Sequence, residues 1–179
     1  MCPDCFDKLN HLSVRVERII DGVNVYSCGV YSKELQKLIR GLKFHNQKDL
    51  AYYLAKFMHE YGAVTGEFTV VPVPIHPKRR KYNHMDLVGE ELCKLSGNKL
   101  NCSVVKRVKD TKPQYRLSKK ERAKNLAGAF EVCAAQAGPI LLIYDICTTG
   151  ATFEELIREF KKHGINNIVC LAAATPHDN

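Results

Sequence analysis

An apolar run, a loop of small residues, an amphipathic helix and a second apolar run follow one another near the end of this chain. Residues 140–143 are typical of a buried strand, and residues 168–174 predict another. The helix between them is predicted by apolar residues at the spacing of one buried face: Phe153, Leu156, Ile157 and Phe160. A strand, a helix and a strand within about thirty residues form a βαβ unit, which requires parallel strands. The chain is therefore expected to contain a parallel sheet with helices packed on it.

The loop before this helix has the composition of an anion site. Asp145 follows the first strand, and the loop then reads Thr148, Thr149, Gly150, Ala151 and Thr152. Backbone N–H groups at a helix N-terminus bind anions, and a glycine allows the backbone to come close to them. An acid in front of such a loop can accept hydrogen bonds from sugar hydroxyls. The pattern predicts a ribose 5-phosphate site, and a βα loop without a ligand is the alternative.

A second loop of interest follows residues 70–74, which read as a strand that stops at a proline. Four consecutive cations come next: Lys78, Arg79, Arg80 and Lys81. In an open α/β sheet, ligands bind at the carboxyl ends of the strands. An anionic ligand is therefore favoured here over a merely solvated charge run. A helix is expected from about His84 to Leu95.

The net charge of +8 is unevenly distributed. More than half of the 27 lysine and arginine residues lie within residues 78–124, which indicates a polyanionic partner, a pyrophosphate ligand or both. Residues 106–130 are polar and basic, as a mobile lid over phosphates would be, and a disordered basic loop is the alternative.

The chain is expected to form one domain, residues 23–179, preceded by a short segment, residues 1–22, with a CxxC motif. Cys2 and Cys5 form half of a zinc ribbon, and zinc needs four ligands. The other half lies outside this sequence, or the site has been lost, or the thiols are free. Neither a secretory signal nor an apolar run long enough for a membrane span is present in the sequence, so a cytoplasmic protein with reduced thiols is expected. Four cysteines in apolar surroundings are predicted to be core residues: Cys93, Cys133, Cys147 and Cys170.

Residues 144–152 resemble the phosphoribosyl pyrophosphate (PRPP) motif of type I phosphoribosyltransferases. That family has two acids before the loop, and here Tyr144 stands in place of the first. The resemblance implies that Asp145 is the catalytic residue that holds the ribose. It also implies a PRPP-binding set: Tyr144, Asp145, Thr148, Thr149, Gly150, Ala151 and Thr152.

Residues 71–84 and 113–130 further resemble the ComF (ComFC) family, whose fold is a type I phosphoribosyltransferase-like parallel sheet flanked by helices. The resemblance implies a pyrophosphate loop: Pro74, Ile75, His76, Lys78, Arg79, Arg80 and Lys81. It implies a flexible loop that carries Gln114, Arg116, Arg122 and Asn125. A surface for single-stranded DNA is expected at Lys78, Arg79, Arg80, Lys81, Tyr82, Lys112, Arg116, Lys119 and Lys120.

ComF proteins act in DNA uptake during natural transformation, beside a helicase partner. The resemblance therefore implies a protein that binds PRPP with Mg²⁺, contacts single-stranded DNA and supports competence. Zinc at Cys2 and Cys5 is implied in part, because the family usually carries two CxxC pairs. An active phosphoribosyltransferase of nucleotide metabolism with no role in DNA uptake is the alternative.

Overall fold

The computed structural model describes residues 9, 13–62, 64–76, 78, 82–111 and 124–176. The strands are β1 (Val16–Ile20), β2 (Val23–Ser27), β3 (Thr69–Pro72), β4 (Lys99–Leu100), β5 (Val105–Arg107), β6 (Phe130–Val132), β7 (Ile140–Ile146) and β8 (Ile168–Ala174). The helices are α1 (Lys33–Phe44), α2 (Leu50–Tyr61), α3 (His84–Ser96) and α4 (Ala151–Lys162).

Six of these strands form one mostly parallel sheet in the order β1-β2-β8-β7-β3-β4. All neighbours from β2 to β4 pair in parallel, and only β1 runs antiparallel to β2 at the edge. The two remaining strands, β5 and β6, pair with each other in a separate antiparallel ribbon. The predicted α/β class with a parallel sheet flanked by helices is confirmed.

Successive side chains of β7 point to opposite faces of the sheet, so they belong to two separate parts of the core. Leu141 and Ile143 pack on one face with the apolar sides of α1, α2 and α3. Ile140 and Leu142 pack on the other face with α4. Helices α3 and α4 therefore cover opposite faces of the sheet.

The main elements lie where the apolar periodicity predicts them. The strand after residue 69 ends at Pro72, and the following helix begins at His84, where Asn83 caps it by accepting a hydrogen bond from Met85 N–H. The β5–β6 ribbon and strand β1 were not predicted from the sequence. Strand β1 lies in the segment that the sequence analysis set apart as residues 1–22, yet it pairs with β2 along its whole length.

The cysteine prediction is confirmed in part. Cys147 and Cys170 are buried, whereas Cys93 is half-buried and Cys133 is exposed. The core assignment of Cys133 is wrong because it follows the short strand β6, which pairs with β5 in a ribbon separate from the main sheet. Among the described residues, no helix combines the length and the apolar character that crossing a membrane requires.

Candidate functional site

Strands β3 and β7 are adjacent and parallel, and the chain leaves them in opposite directions. After β3 it continues through α3 to β4 on one side, and after β7 it continues through α4 to β8 on the other. The two strands are in register from Thr69 opposite Ile140 to Pro72 opposite Ile143. This is a topological switch point, where the loops at the carboxyl ends separate and leave a crevice in which ligands of open α/β sheets bind. Both sequence-predicted loops begin at this crevice, since residues 147–150 follow β7 and residues 73–76 follow β3.

The loop between β7 and α4 (residues 147–150, the β7–α4 loop) ends in a glycine that the geometry requires. Gly150 has φ +82°, and a Cβ at this position would collide with Ile20 Cδ1. Gly150 is also the N-cap of α4 and has no side chain to cap the helix, although Thr149 Oγ1 accepts a long hydrogen bond of 3.5 Å from the N–H of Ala151. An anion at this end would meet backbone N–H donors and the positive end of the helix dipole.

The N–H of Thr149 has no hydrogen-bond partner among the described residues. Its position at the β7–α4 loop makes it a candidate donor to an anion.

A small cleft that is partly open to solvent lies at the β7–α4 loop. Its lining residues are Tyr144, Ile146, Cys147, Thr148, Gly150, Ala151, Thr152 and Phe153. The ring of Tyr144 meets the ring of Phe153 edge to face, with centroids 5.9 Å apart. The residue that replaces an acid thus packs on α4, and none of the described residues that line the cleft carries a carboxylate.

Asp145 lies on the opposite face of β7 and is buried, with 2% of its surface exposed. Its Oδ2 atom accepts a hydrogen bond from His84 Nε2 at 2.7 Å. The same oxygen forms an ion pair with Lys43 Nζ. Its Oδ1 atom accepts from the N–H of Ile146 at 2.6 Å. Both oxygens of the predicted ribose-binding acid are therefore engaged within the protein. The assignment of Asp145 to ribose binding stays a prediction, and a sugar hydroxyl would have to share or displace these partners.

The charge balance around Asp145 favours the ionised carboxylate. Burial raises the pKa of Asp145, but the attraction of Lys43 and the hydrogen bond and charge of His84 outweigh burial, so its pKa lies well below the ordinary value. The three residues come from the end of α1, the start of α3 and the end of β7. The ion pair thus ties together three elements around the crevice.

The segment between β3 and α3 (residues 74–83, the basic segment) is attached to the same region. The hydroxyl of Tyr82 donates to the carbonyl of Leu42, one residue before Lys43, and the Lys48 ammonium lies 5.1 Å from the centre of the Tyr82 ring. Asn83 Nδ2 donates to the carbonyl of Val73 at 3.1 Å. Stacking of Tyr82 on DNA bases stays a prediction.

The other predicted residues of the basic segment fall into two groups. Pro74, Ile75 and His76 are half-buried, and Lys78 is exposed, with its N–H donating to His76 Nδ1 at 3.3 Å. Arg79, Arg80 and Lys81 lie outside the described residues.

Of the predicted flexible loop, the structure describes Asn125, which is half-buried. Nearby, the N–H of Gly128 donates to the buried carboxylate of Glu155 on α4 at 2.7 Å. The remaining predicted residues lie outside the described part of the chain: Lys112, Gln114, Arg116, Lys119, Lys120 and Arg122.

Arg18 is a site residue that sequence reasoning missed. From β1, its guanidinium donates to the carbonyl of Thr148 and to the hydroxyl of Thr175, each at 2.9 Å. Lys43 and His84 were also missed as partners of Asp145. Lys43 lies near the end of α1, and no local pattern in the sequence marks either Lys43 or Arg18 as a site residue.

The described residues do not form a protein-built metal centre. They contain no group of three or more histidine, cysteine, aspartate or glutamate side chains that could hold a metal ion, and both oxygens of Asp145 are engaged. Cys2 and Cys5 lie outside the described residues. Cys28, a nearby thiol, is fully buried, and burial raises its pKa well above the ordinary value, which disfavours the thiolate that zinc requires.

Comparisons with known proteins identify relatives along most of the chain, although no family model matches it. Competence protein F of Haemophilus influenzae is 34% identical over 157 residues, which cover 78% of this chain and 67% of that protein. The DNA utilization protein YhgH of Salmonella typhi is 26% identical, with 92% of this chain and 79% of that protein covered. Among solved structures, an adenine phosphoribosyltransferase from Thermoanaerobacter pseudethanolicus aligns at a TM-score of 0.43 and 10% identity, covering 94% of this chain and 98% of that one. The identity to the Haemophilus protein and its coverage show that this chain belongs to the competence protein F (ComF) family.

Proposed function

We propose that this chain binds PRPP in the crevice between β3 and β7 and supports DNA uptake or utilization, the processes after which its relatives are named. The observation that carries the proposal is the switch point. It brings the β7–α4 loop and the described residues of the basic segment, which are far apart in sequence, to the carboxyl ends of two adjacent strands.

The two loops suit the two ends of the ligand. The 5-phosphate would accept from the unpartnered N–H of Thr149 and from the N-terminus of α4, where Gly150 leaves the backbone accessible. The pyrophosphate would lie toward the basic segment, where Lys78, Arg79, Arg80 and Lys81 follow one another in the sequence. Mg²⁺ would be held by pyrophosphate oxygens and water, which is a common arrangement for this ion and needs no cluster of protein carboxylates.

The sugar end of the site favours binding over turnover. Tyr144 replaces one acid and packs on Phe153. The other acid, Asp145, is engaged by Lys43 and His84. With no free carboxylate at the cleft, the ribose hydroxyls are held weakly, which disfavours the precise positioning that glycosyl transfer needs. A phosphoribosyltransferase of nucleotide metabolism is the second candidate, and the resemblance of residues 144–152 to the PRPP motif supports it.

Contact with single-stranded DNA is the second part of the proposal. The net charge of +8 and the concentration of cations in residues 78–124 provide the electrostatic attraction. Tyr82 supplies an aromatic ring beside Lys48 in this region. A competence helicase is the partner expected beside the DNA.

Isothermal titration calorimetry with PRPP, ribose 5-phosphate and pyrophosphate, each with and without Mg²⁺, tests the proposal. PRPP should bind more tightly than either half, because it spans both loops, and its binding should strengthen with Mg²⁺. Absence of heat for all three ligands would overturn the proposal of a PRPP site. Release of pyrophosphate from PRPP in the presence of a purine or pyrimidine base would favour the enzyme instead.

A further inference from the structure

Strand β1 carries an arginine, Arg18, that contacts the backbone of the β7–α4 loop. Its residues alternate, with Glu17 and Ile19 exposed and Arg18 and Ile20 turned inward. Ile20 occupies the space beside Gly150, and Arg18 reaches the carbonyl of Thr148. Two consecutive inward side chains of one edge strand therefore contact the loop.

The guanidinium of Arg18 joins the loop to a second fixed point. One nitrogen donates to the Thr148 carbonyl and the other to the hydroxyl of Thr175, both at 2.9 Å. Thr175 follows β8 directly and is buried, and its N–H and carbonyl are bonded to Gly29 and Tyr31. Because the planar guanidinium presents its donors in a fixed geometry, holding both acceptors restricts where the Thr148 carbonyl can point.

The orientation of that carbonyl determines the orientation of the next N–H. In a planar trans peptide the C=O and the following N–H point in opposite directions. With the Thr148 carbonyl turned toward Arg18, the N–H of Thr149 points away from Arg18. This is the N–H that has no partner among the described residues.

We propose that Arg18 is a positioning residue of the anion site, which holds the Thr148–Thr149 peptide so that the Thr149 N–H is presented to a phosphate group. The proposal rests on the phosphate-binding function proposed above. It assigns a role in the site to a residue of the edge strand β1, which lies outside the sequence motif of residues 144–152. Arg18 acts through the loop backbone, and its anchor Thr175 contributes without carrying a charge.

Titration calorimetry with PRPP and Mg²⁺ on four variants tests the role of Arg18. Arg18→Met removes both hydrogen bonds and should weaken binding by about 10- to 100-fold, the range for loss of a charged hydrogen bond. Arg15→Met is the matched control, because Arg15 has the same charge, precedes the same strand and pairs with Glu17 and Tyr26 instead of the loop. It should bind within about twofold of wild type.

Two conservative variants separate positioning from charge, and they also serve if Arg18→Met does not fold. Arg18→Lys keeps the charge but cannot hold both acceptors in a planar fork, so it should restore only part of the affinity. Thr175→Val changes no charge and should weaken binding by about threefold or more. Wild-type affinity in both variants, or equal losses in Arg18→Met and Arg15→Met, would overturn the proposal.

A ligand-free measurement distinguishes failure of this proposal from failure of the proposed function. The amide resonance of Thr149 in a ¹H–¹⁵N spectrum should shift in Arg18→Met and Thr175→Val but stay in place in Arg15→Met. If wild type binds no ligand, the PRPP proposal fails, and this spectrum still decides the positioning role. An unchanged Thr149 resonance in Arg18→Met would overturn it.

Discussion

His84 Nε2 lies 2.7 Å from Asp145 Oδ2, although the two residues are 61 positions apart in the chain. His84 is the first residue of α3 and Asp145 is near the end of β7, so the hydrogen bond crosses the crevice between β3 and β7 on the α3 face of the sheet. With Lys43, they form a buried ion cluster. In this cluster Asp145, the acid of the PRPP-like motif, stabilises the fold. The ion cluster therefore links the end of α1 and the start of α3 to the end of β7.

Removal of Lys43 should destabilise the protein strongly. Lys43→Met leaves the carboxylate of Asp145 buried with only part of its compensation, which is expected to lower the free energy of unfolding by about 3 kcal/mol. Lys37→Met, an exposed position on the same helix, is the control and should change it by less than about 0.5 kcal/mol. Urea denaturation measures both. Similar losses in the two variants would contradict a structural role for the ion cluster.

The stability conferred by Asp145 should depend on pH in the acid range. Its pKa is lowered in the folded protein, so its contribution is complete above the ordinary pKa of aspartate, about 4, and is lost as the pH falls toward the lower folded value. Asp145→Asn should therefore be less stable than wild type at pH 7, and the difference should shrink steadily below about pH 4. Denaturation at several pH values measures this difference. A difference that stays constant from pH 7 to pH 3 would refute the lowered pKa.

Substitution of Gly150 should remove phosphate binding. Gly150→Ala forces an alanine into a left-handed backbone conformation and displaces the end of the Ile20 side chain, so the loop is strained and the affinity for PRPP should fall at least tenfold. Gly164→Ala is a matched control, because Gly164 has φ +75°, lies at the other end of α4 and has open space around its Cβ position. Both variants should lose about 1 kcal/mol of stability, but Gly164→Ala should keep wild-type affinity in calorimetry.

Restoration of the missing acid should strengthen sugar binding. Tyr144→Asp places a carboxylate in the lining of the cleft, where it can accept hydrogen bonds from the ribose hydroxyls, and should tighten Mg²⁺-dependent PRPP binding by about fivefold or more. Tyr144→Asn is the control, since it removes the ring contact with Phe153 without adding charge. If the two variants bind PRPP equally well, position 144 has no part in holding the ribose.

Binding of single-stranded DNA should depend steeply on salt. The affinity of wild type for an oligothymidylate should fall at least about tenfold between 50 and 200 mM salt, because cations of the protein replace counterions on the phosphates. Replacement of Lys78 and Arg79 by glutamine should lower both the affinity and the slope. The same replacement at Lys161 and Lys162, in the last turn of α4, should change neither by much. Fluorescence anisotropy gives both quantities, and equal effects of the two pairs would argue against DNA contact at the basic segment.

The elements that were predicted correctly are those with local signals. The βαβ unit of residues 140–174 is predicted correctly because its apolar spacing and its glycine loop lie within one stretch of the sequence. The β1 edge strand was missed because it is short, half exposed and stabilised mainly by pairing with β2. The prediction of helices and strands is therefore correct where the apolar periodicity is strong. It fails where pairing between distant strands determines the structure.

The α/β class, the two loops at strand ends and the excess of cations can be predicted from the amino-acid sequence, since each depends on residue type and short-range spacing. Which side chains meet depends on the tertiary structure. Arg18 and Thr148 are 130 positions apart, and their contact arises because β1 folds back beside the carboxyl end of the parallel strands. In the same way, Asp145 faces Lys43 and His84 because alternation along β7 turns it to the α3 face, while Tyr144 turns to α4. Those orientations depend on sheet order and register, which are determined by long-range pairing and burial and leave no local signal in the sequence.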